Sequence, residues 1–277
     1  MAISDNQTGK DLEPELTTRN LVDLSDIVQM ATRGMLTRVS FRAKAQMPEV
    51  PVKSVTILLP ALDEEDGIGE VIDSIPLGRL EAMGFRTDIL VVDGHSKDMT
   101  IDIARGKGAK IAFQQGKGKG HAVRLGMDIA NSDFLVMLDA DGTYPTEDIP
   151  AFLRMLQDGA DVVMGSRLIG KIEDGAMSDL NKAGNRILSF IASMAYKKRV
   201  TDLCTGMWAF NKKAIETLKL NSTGFEIEAE MFAQASKAGL AIRETPIRYS
   251  PRLGKPKLGS IGCGLRIGLK LIRKRFL

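Results

Sequence analysis

The sequence predicts an α/β fold, a mostly parallel sheet with helices on both faces. Two observations carry this. From Ser54 to Met164, short apolar and β-branched runs alternate with segments of helical periodicity. Three of those runs are followed by a carboxylate, at Asp63, Asp93 and Asp139. A doubly wound sheet would gather these ends on one edge, where such sheets bind ligands. The chain of 277 residues, 44% hydrophobic and 26% charged, suits one large domain or a domain with appendages.

Taken in order, residues 1 to about 19 read as a flexible tail. From Asn20 to Ala43, Leu21, Leu24, Val28, Met35 and Val39 fall near helical spacing, with a break at Gly34. The stretch 46–53, with Pro48 and Pro51, is a linker. Ser54–Pro60 is the first strand, and a helix runs through Val71, Ile72 and Ile75. Thr87–Asp93 is the second strand, and Ser96 is placed to cap the next helix. Lys110–Phe113 is a short third strand. The glycine-lysine stretch Gly116–Gly120 leads into a helix carrying Val123, Leu125 and Ile129. A fourth strand at 133–138 precedes a helix over 147–156 and a strand over 161–164. A long helix follows from Asp179 to Tyr196, then a strand at 207–210, a helix over 225–238 and an edge strand over 241–250. The last stretch, 260–277, sets Ile261, Leu265, Leu269 and Ile272 on one stripe beside Arg266, Lys270, Arg273, Lys274 and Arg275. A basic amphipathic helix of this kind reads as a membrane-surface element, with a solvated surface helix as the alternative.

Composition excludes several classes. A net charge of +3 gives no field that demands nucleic acid. Cys204 and Cys263 are in no metal-ligand spacing, and two histidines, His95 and His121, leave little for a histidine metal site. No apolar run reaches the roughly 18 residues of a membrane span, and residues 1–18 carry no signal pattern. The expected location is cytoplasmic, peripheral at the membrane.

The chemistry centres on Asp139-Ala140-Asp141. Two carboxylates where a central strand gives way to a loop suit a hard divalent cation, which takes one or two protein carboxylates and fills its other positions with water and phosphate. An acidic turn at Asp141-Gly142 is the alternative. Gly118-Lys119-Gly120 can bring backbone N–H groups and an ammonium to a phosphate, or can be a solvated loop.

Several motifs in order carry a resemblance. They are Leu59-Pro60-Ala61-Leu62-Asp63-Glu64, Val91-Val92-Asp93-Gly94-His95-Ser96-Lys97-Asp98, Gly118-Lys119-Gly120, Leu138-Asp139-Ala140-Asp141, Gly165-Ser166-Arg167 and Tyr249 through Leu258. The chain resembles the family 2 glycosyltransferases of GT-A fold from about Ser54 to Leu271. Within them it resembles the branch that moves sugars onto polyprenyl phosphate, such as dolichol-phosphate mannosyltransferases. The resemblance implies that Pro60, Leu62, Glu64 and Asp93 line the base and ribose. It places Lys119 in the nucleotide-sugar region and Asp139 and Asp141 on the metal, Mg2+ or Mn2+, that holds the donor diphosphate. Arg167 matches a basic residue beside the donor and acceptor phosphates, and Arg252 and Lys257 match a basic loop that receives the acceptor phosphate. Lys255, between them in sequence, adds a further cation there. Leu62 stands where many members have Tyr, Thr143 where some have Gln, and Pro256 where Ser is usual.

The expected division is a tail and helical arm over 1–52, a GT-A domain over 53–259 and a basic amphipathic helix over 260–277. The expected partners are a nucleotide sugar, UDP-linked before GDP-linked, and polyprenyl phosphate. An acceptor phosphate is already anionic and needs no general base, so inversion by direct displacement follows. Asp141, Arg167 and Arg252 are the residues expected to carry the reaction. The alternatives are a soluble glycosyltransferase of the same fold acting on a phosphorylated small molecule or a glycan, with Asp202, Glu226 or Glu228 as base rather than in the ordinary roles of capping and a solvated helix face, and a nucleotidyltransferase.

Overall fold

The computed structural model describes residues 52–254, 264 and 267–271. The expectations for 1–51, for Lys255 and Lys257, and for most of 260–277 lie outside the described residues.

The central strand β1, Lys53–Ala61, is a run of apolar residues because both of its faces are covered. Ile57 and Leu59 point into one core, and Leu58 into the other. Beside β1, in parallel, lie β2, Phe85–Asp93, and β4, Phe134–Met137. β3, Lys110–Phe113, pairs with β2 at one end of the sheet. On the other side β6, Trp208–Asn211, runs antiparallel between β4 and β5, Val162–Ile172. β7, Ile242–Tyr249, closes the far edge parallel to β5. The order is β3-β2-β1-β4-β6-β5-β7. The chain winds outward from β1 to β3 and then returns to β4 on the other side of β1. That reversal opens a crevice at the carboxyl ends of β1 and β4.

Helices cover both faces. α1 (Ile68–Ser74), α2 (Leu77–Ala82), α3 (Thr100–Gly106) and α5 (Ile149–Gln157) bury residues in the core that holds Ile57. α4 (Lys119–Ile129), α6 (Asp179–Tyr196), α7 (Lys212–Thr217) and α8 (Ile227–Lys237) supply the core that holds Leu58. The long α6 starts where Ser178 Oγ accepts the Asn181 N–H and stops at Lys197, whose φ is 53°.

The α/β reading agrees with the structure, with four local differences. α2 and α7 have six residues each, too few for a periodic signal. Ser96 caps nothing; the cap position of α3 is Met99, and Asp98 accepts the Thr100 N–H at 3.0 Å. β5 runs on to Ile172 through a polar, irregular half. Its register against β7 shifts between Ser166 and Lys171, and a Cβ on Gly170 would lie 1.9 Å from the Ile247 carbonyl oxygen. That close backbone approach hides the strand from hydrophobic periodicity. Finally, the described turn at 267–271 buries Ile267 and Leu271, while Leu269, expected on the apolar stripe, is 48% exposed. Tyr196 donates to the Leu271 carbonyl, and Lys270 donates to Asn221 Oδ1 and pairs with the buried Glu230.

Asp133 staples the start of β4 to β1. Its Oδ2 accepts the Ser54 N–H at 2.7 Å and the Ser54 hydroxyl at 2.8 Å, and Ser54 Oγ accepts the Asp133 N–H. The Ser54 backbone and side-chain bonds hold the Asp133 carboxyl below its ordinary pKa. A depressed carboxylate gives stability that is full above the unfolded pKa and is lost as pH falls through the folded one. Asp133→Asn is therefore expected to flatten the acid limb of a stability–pH curve and to cost about 1–2 kcal/mol at neutral pH. Urea unfolding at pH 7 and in the acid range checks it; parallel curves for both proteins would rule the staple out.

Candidate functional site

The crevice holds a cavity of about 1260 Å³ at the strand ends. β1 and the loop after it bring Pro60, Leu62 and Glu64 to its wall, and the loop after β4 brings Asp139 and Asp141. The first turn of α4 contributes Lys119, β5 contributes Arg167, and the segment after β7 contributes Arg252. Residues scattered from 60 to 252 thus converge on one site because the topology reverses beside β1.

Its centre is a charged cluster. Lys119 Nζ lies 2.6 Å from Asp139 Oδ1 and 2.7 Å from Glu228 Oε1. Asp141 Oδ1 accepts the Thr143 N–H and hydroxyl, and its Oδ2 accepts from Arg252 at 2.8 Å. Arg252 also donates to both oxygens of Glu64 at 2.5 and 2.6 Å. The Arg252 segment is fastened by its backbone as well: Leu253 N–H donates to the Asp141 carbonyl and Ser250 N–H to that of Thr143. Gly142, at φ 78°, leaves the space that Leu253 fills.

Beside this cluster Arg167 is locked in place. Its backbone N–H and Nε donate to Asp202 Oδ2 at 2.9 and 2.7 Å, and its Nη2 donates to Oδ1 at 2.7 Å. Asn185 donates to the same carboxylate. The guanidinium lies 5.0 Å from the Tyr249 ring centre and 6.0 Å from that of Tyr144. Burial works against its charge, but the Asp202 carboxylate bonded to it outweighs burial and keeps it protonated. Tyr144 in turn accepts the Gly206 N–H at 2.6 Å.

Asp93 sits differently from the other expected residues. It is wholly buried and outside the cavity wall. Its Oδ2 accepts the His95 and Ser96 N–H groups, and its Oδ1 accepts the Ser96 hydroxyl. In this arrangement its carboxylate builds the loop that carries His95 to the wall.

Sequence reasoning gave Glu228 the solvated face of its helix. The structure buries it, with Lys119 as partner and Oε2 unbonded among the described residues. A signal existed: Ile227, Ala229, Met231, Phe232 and Ala233 make α8 apolar on all sides, the mark of a buried helix. Glu226 instead accepts from Thr223 and Gly224 N–H in the preceding turn. Tyr144 and Asn185 had no sequence signal, since nothing local distinguishes them from core residues, and Tyr249 opens the last motif without a role assigned to it.

Do these residues fit a divalent cation? The bonded cluster holds four carboxylates, Glu64, Asp139, Asp141 and Glu228, against two cations, Lys119 and Arg252. The difference is two negative charges. Burial, and then the neighbouring Asp139, push the Asp141 carboxyl up, and burial does the same to Glu228. These are the signs of a site short of positive charge. Gly206 also leaves room at Asp139, because a Cβ there would lie 2.4 Å from Oδ2. Among the described residues no group of three or more His, Cys, Asp or Glu forms a complete metal cage. Two carboxylates with phosphate and water completing the shell is the arrangement that Mg2+ favours, and Asp139 and Asp141 fit it.

Known proteins resemble this chain in sequence and fold. The sequence matches the family described as Glycosyl transferase family 2 over residues 56–219. A low-salt glycan biosynthesis hexosyltransferase of Haloferax volcanii is 37% identical over 77% of this chain and 52% of its own length. The chain thus spans about half of that relative, and 64% of a second Haloferax glycosyltransferase. A dolichyl-phosphate hexose transferase of the same organism is 34% identical over 82% of this chain and 96% of its own. Among solved structures, glucosyl-3-phosphoglycerate synthase from Mycobacterium tuberculosis, in complex with Mn2+, UDP and phosphoglyceric acid, superposes with a TM-score of 0.65. It is 20% identical and covers 81% of this chain and 79% of its own. That likeness establishes a GT-A fold.

Proposed function

The chain belongs to glycosyl transferase family 2, and from that premise we propose that it moves a hexose or N-acetylhexosamine from a nucleotide sugar, UDP-linked before GDP-linked, to polyprenyl (dolichyl) phosphate. The observation that carries this reading is the pairing of carboxylates in the site. Glu64 and Asp141 are held by Arg252, Asp139 and Glu228 by Lys119, and Asp202 by Arg167. Each already faces a cation, which opposes its taking a proton from an alcohol. An acceptor that arrives as a phosphate anion needs no such base. It needs cations to hold it in line with the sugar C1. The name of the dolichyl-phosphate hexose transferase relative supports the same acceptor class.

The residues divide the work by position. Pro60, Leu62 and Glu64 line the donor side. Lys119 is the ammonium for the donor diphosphate, with Asp139 and Asp141 as seats for Mg2+ or Mn2+. A cation there would supply Lewis-acid stabilisation of the departing nucleoside diphosphate. Arg167, fixed by Asp202 and charged, lies where the phosphates of donor and acceptor meet. Arg252 opens the basic stretch continued in sequence by Lys255 and Lys257, and receives the acceptor phosphate. Attack of that phosphate oxygen on C1 forms the new C–O bond as the bond to the diphosphate breaks, with inversion. Among the described residues no helix is long and apolar enough to cross a membrane. We place the protein at the cytoplasmic face of the membrane as a peripheral enzyme, with the basic segment 260–277 toward the lipid, a GT-A domain over 53–259 and an arm over 1–52.

The test is to mix the full chain with radiolabelled nucleotide sugar, Mn2+ and polyprenyl phosphate. Label should enter the organic phase together with release of nucleoside diphosphate. Label confined to water-soluble acceptors would overturn the lipid reading, and pyrophosphate release would point to nucleotidyl transfer.

A further inference from the structure

The loop after β2 holds a feature that neither the charged cluster nor the acceptor segment explains. His95 has φ 69°, in the left-handed region that side chains with a Cβ seldom adopt. Such conformations persist where surrounding bonds enforce them, and they concentrate at working sites. Here the enforcement is visible. Buried Asp93 accepts the N–H of His95 itself at 2.7 Å, and both the N–H and hydroxyl of Ser96.

That backbone holds the imidazole at the cavity wall. Its Nε2 lies 3.0 Å from the Gln114 carbonyl oxygen, and its ring stacks on Phe113 at 6.1 Å with 19° between planes. The pair is exposed: Phe113 is 51% accessible on the outermost strand β3. Leu62, 43% accessible, packs at Gly94 and extends the same ledge. Apolar and aromatic side chains at the wall of a cavity, beside a few charged groups, suit the flat face of a ligand.

The sheet order fixes which ligand part reaches it. The ledge is on the β1–β2–β3 side of Asp139 and Asp141, and the cavity wall on the opposite side carries the Arg167 guanidinium with Tyr144 and Tyr249, the place given above to the acceptor phosphate. A nucleotide with its phosphates at Lys119 and Asp139 therefore has its base directed to the ledge. Resting on the nucleotide-sugar reading above, we propose that His95, backed by Phe113, is the stacking platform for the donor's base. Stacking tolerates any base, so His95 sets donor affinity, and it does not choose between uracil and guanine.

The experiment compares wild type with His95→Asn, because Asn tolerates the left-handed backbone but has no ring. Each full-length protein is titrated with UDP, GDP and inorganic pyrophosphate in the presence of Mn2+. UDP and GDP should each bind ~5- to 150-fold more weakly to the variant. Pyrophosphate, which has no base, should bind equally to both. Phe113→Leu, which removes only the backing ring, should show a smaller loss with the same pattern. Equal UDP binding by wild type and His95→Asn would overturn the proposal, as would a matching loss for pyrophosphate, which would mean a disturbed loop. A wild-type protein that binds neither UDP nor GDP would instead overturn the nucleotide-sugar reading itself.

Discussion

Asp141→Ala is expected to lower kcat/KM for sugar transfer ~10²- to 10⁴-fold, a loss of several kcal/mol of transition-state stabilisation, while the chain stays folded. The carboxylate is buried, and its ionised form is opposed first by that burial and then by Asp139. Removing it relieves that repulsion. Its loss also frees Thr143 and one end of Arg252, so the two effects on stability offset one another. No core side chain is touched. The function, by contrast, has no substitute, because a cation seat of two carboxylates loses half its protein ligands. Asp141→Asn separates charge from shape: its amide oxygen can still accept from Thr143, yet transfer and Mn2+ binding should fall as far as with alanine. The checks are label transfer and a Mn2+ titration of both variants. Full activity in either would mean that the cation is held elsewhere.

What could be read from the sequence follows from which interactions are local. The strands of the first half are buried on both faces, so their apolar runs announce them. The carboxylates and glycines at their ends mark the edge where ligands gather. Beyond residue 164 periodicity fails where backbone meets backbone, as at Gly170 against Ile247. It also could not place β6. Four apolar residues say nothing about inserting antiparallel between β4 and β5, which is decided by partners at a distance of more than 40 residues. The site divides in the same way. Asp139, Asp141, Lys119, Arg167 and Arg252 belong to short motifs and could be named. Their arrangement into pairs could not: the Arg252–Glu64 contact joins positions 188 residues apart, and no spacing encodes it. Glu228 was misplaced because three glutamates on one helix look solvated until the apolar residues between them are counted.

Asp202→Ala carries the largest expected cost in stability, about 3–5 kcal/mol, because breaking one side of a buried ion pair strands the other charge. Asp202 is fully buried and accepts three bonds from Arg167 and one from Asn185. Without it the guanidinium would be left among Tyr144 and Tyr249, 7% exposed and unable to deprotonate. For a domain of this size each kcal/mol lowers Tm by about 2–4 °C, so a drop of roughly 6–20 °C is expected. Removing both charges should be less harmful than removing one. Arg167→Met combined with Asp202→Leu takes away the stranded ion and fills its space, so the double variant should recover much of the loss while remaining inactive. That split distinguishes a pair kept for chemistry from one kept for stability: packing restores the fold, but nothing then remains to meet the phosphates. Urea unfolding of wild type, Asp202→Ala and the double variant gives the comparison. If Asp202→Ala unfolds within 1 kcal/mol of wild type, Arg167 finds water or another carboxylate when its partner is gone. Its position would then owe nothing to Asp202.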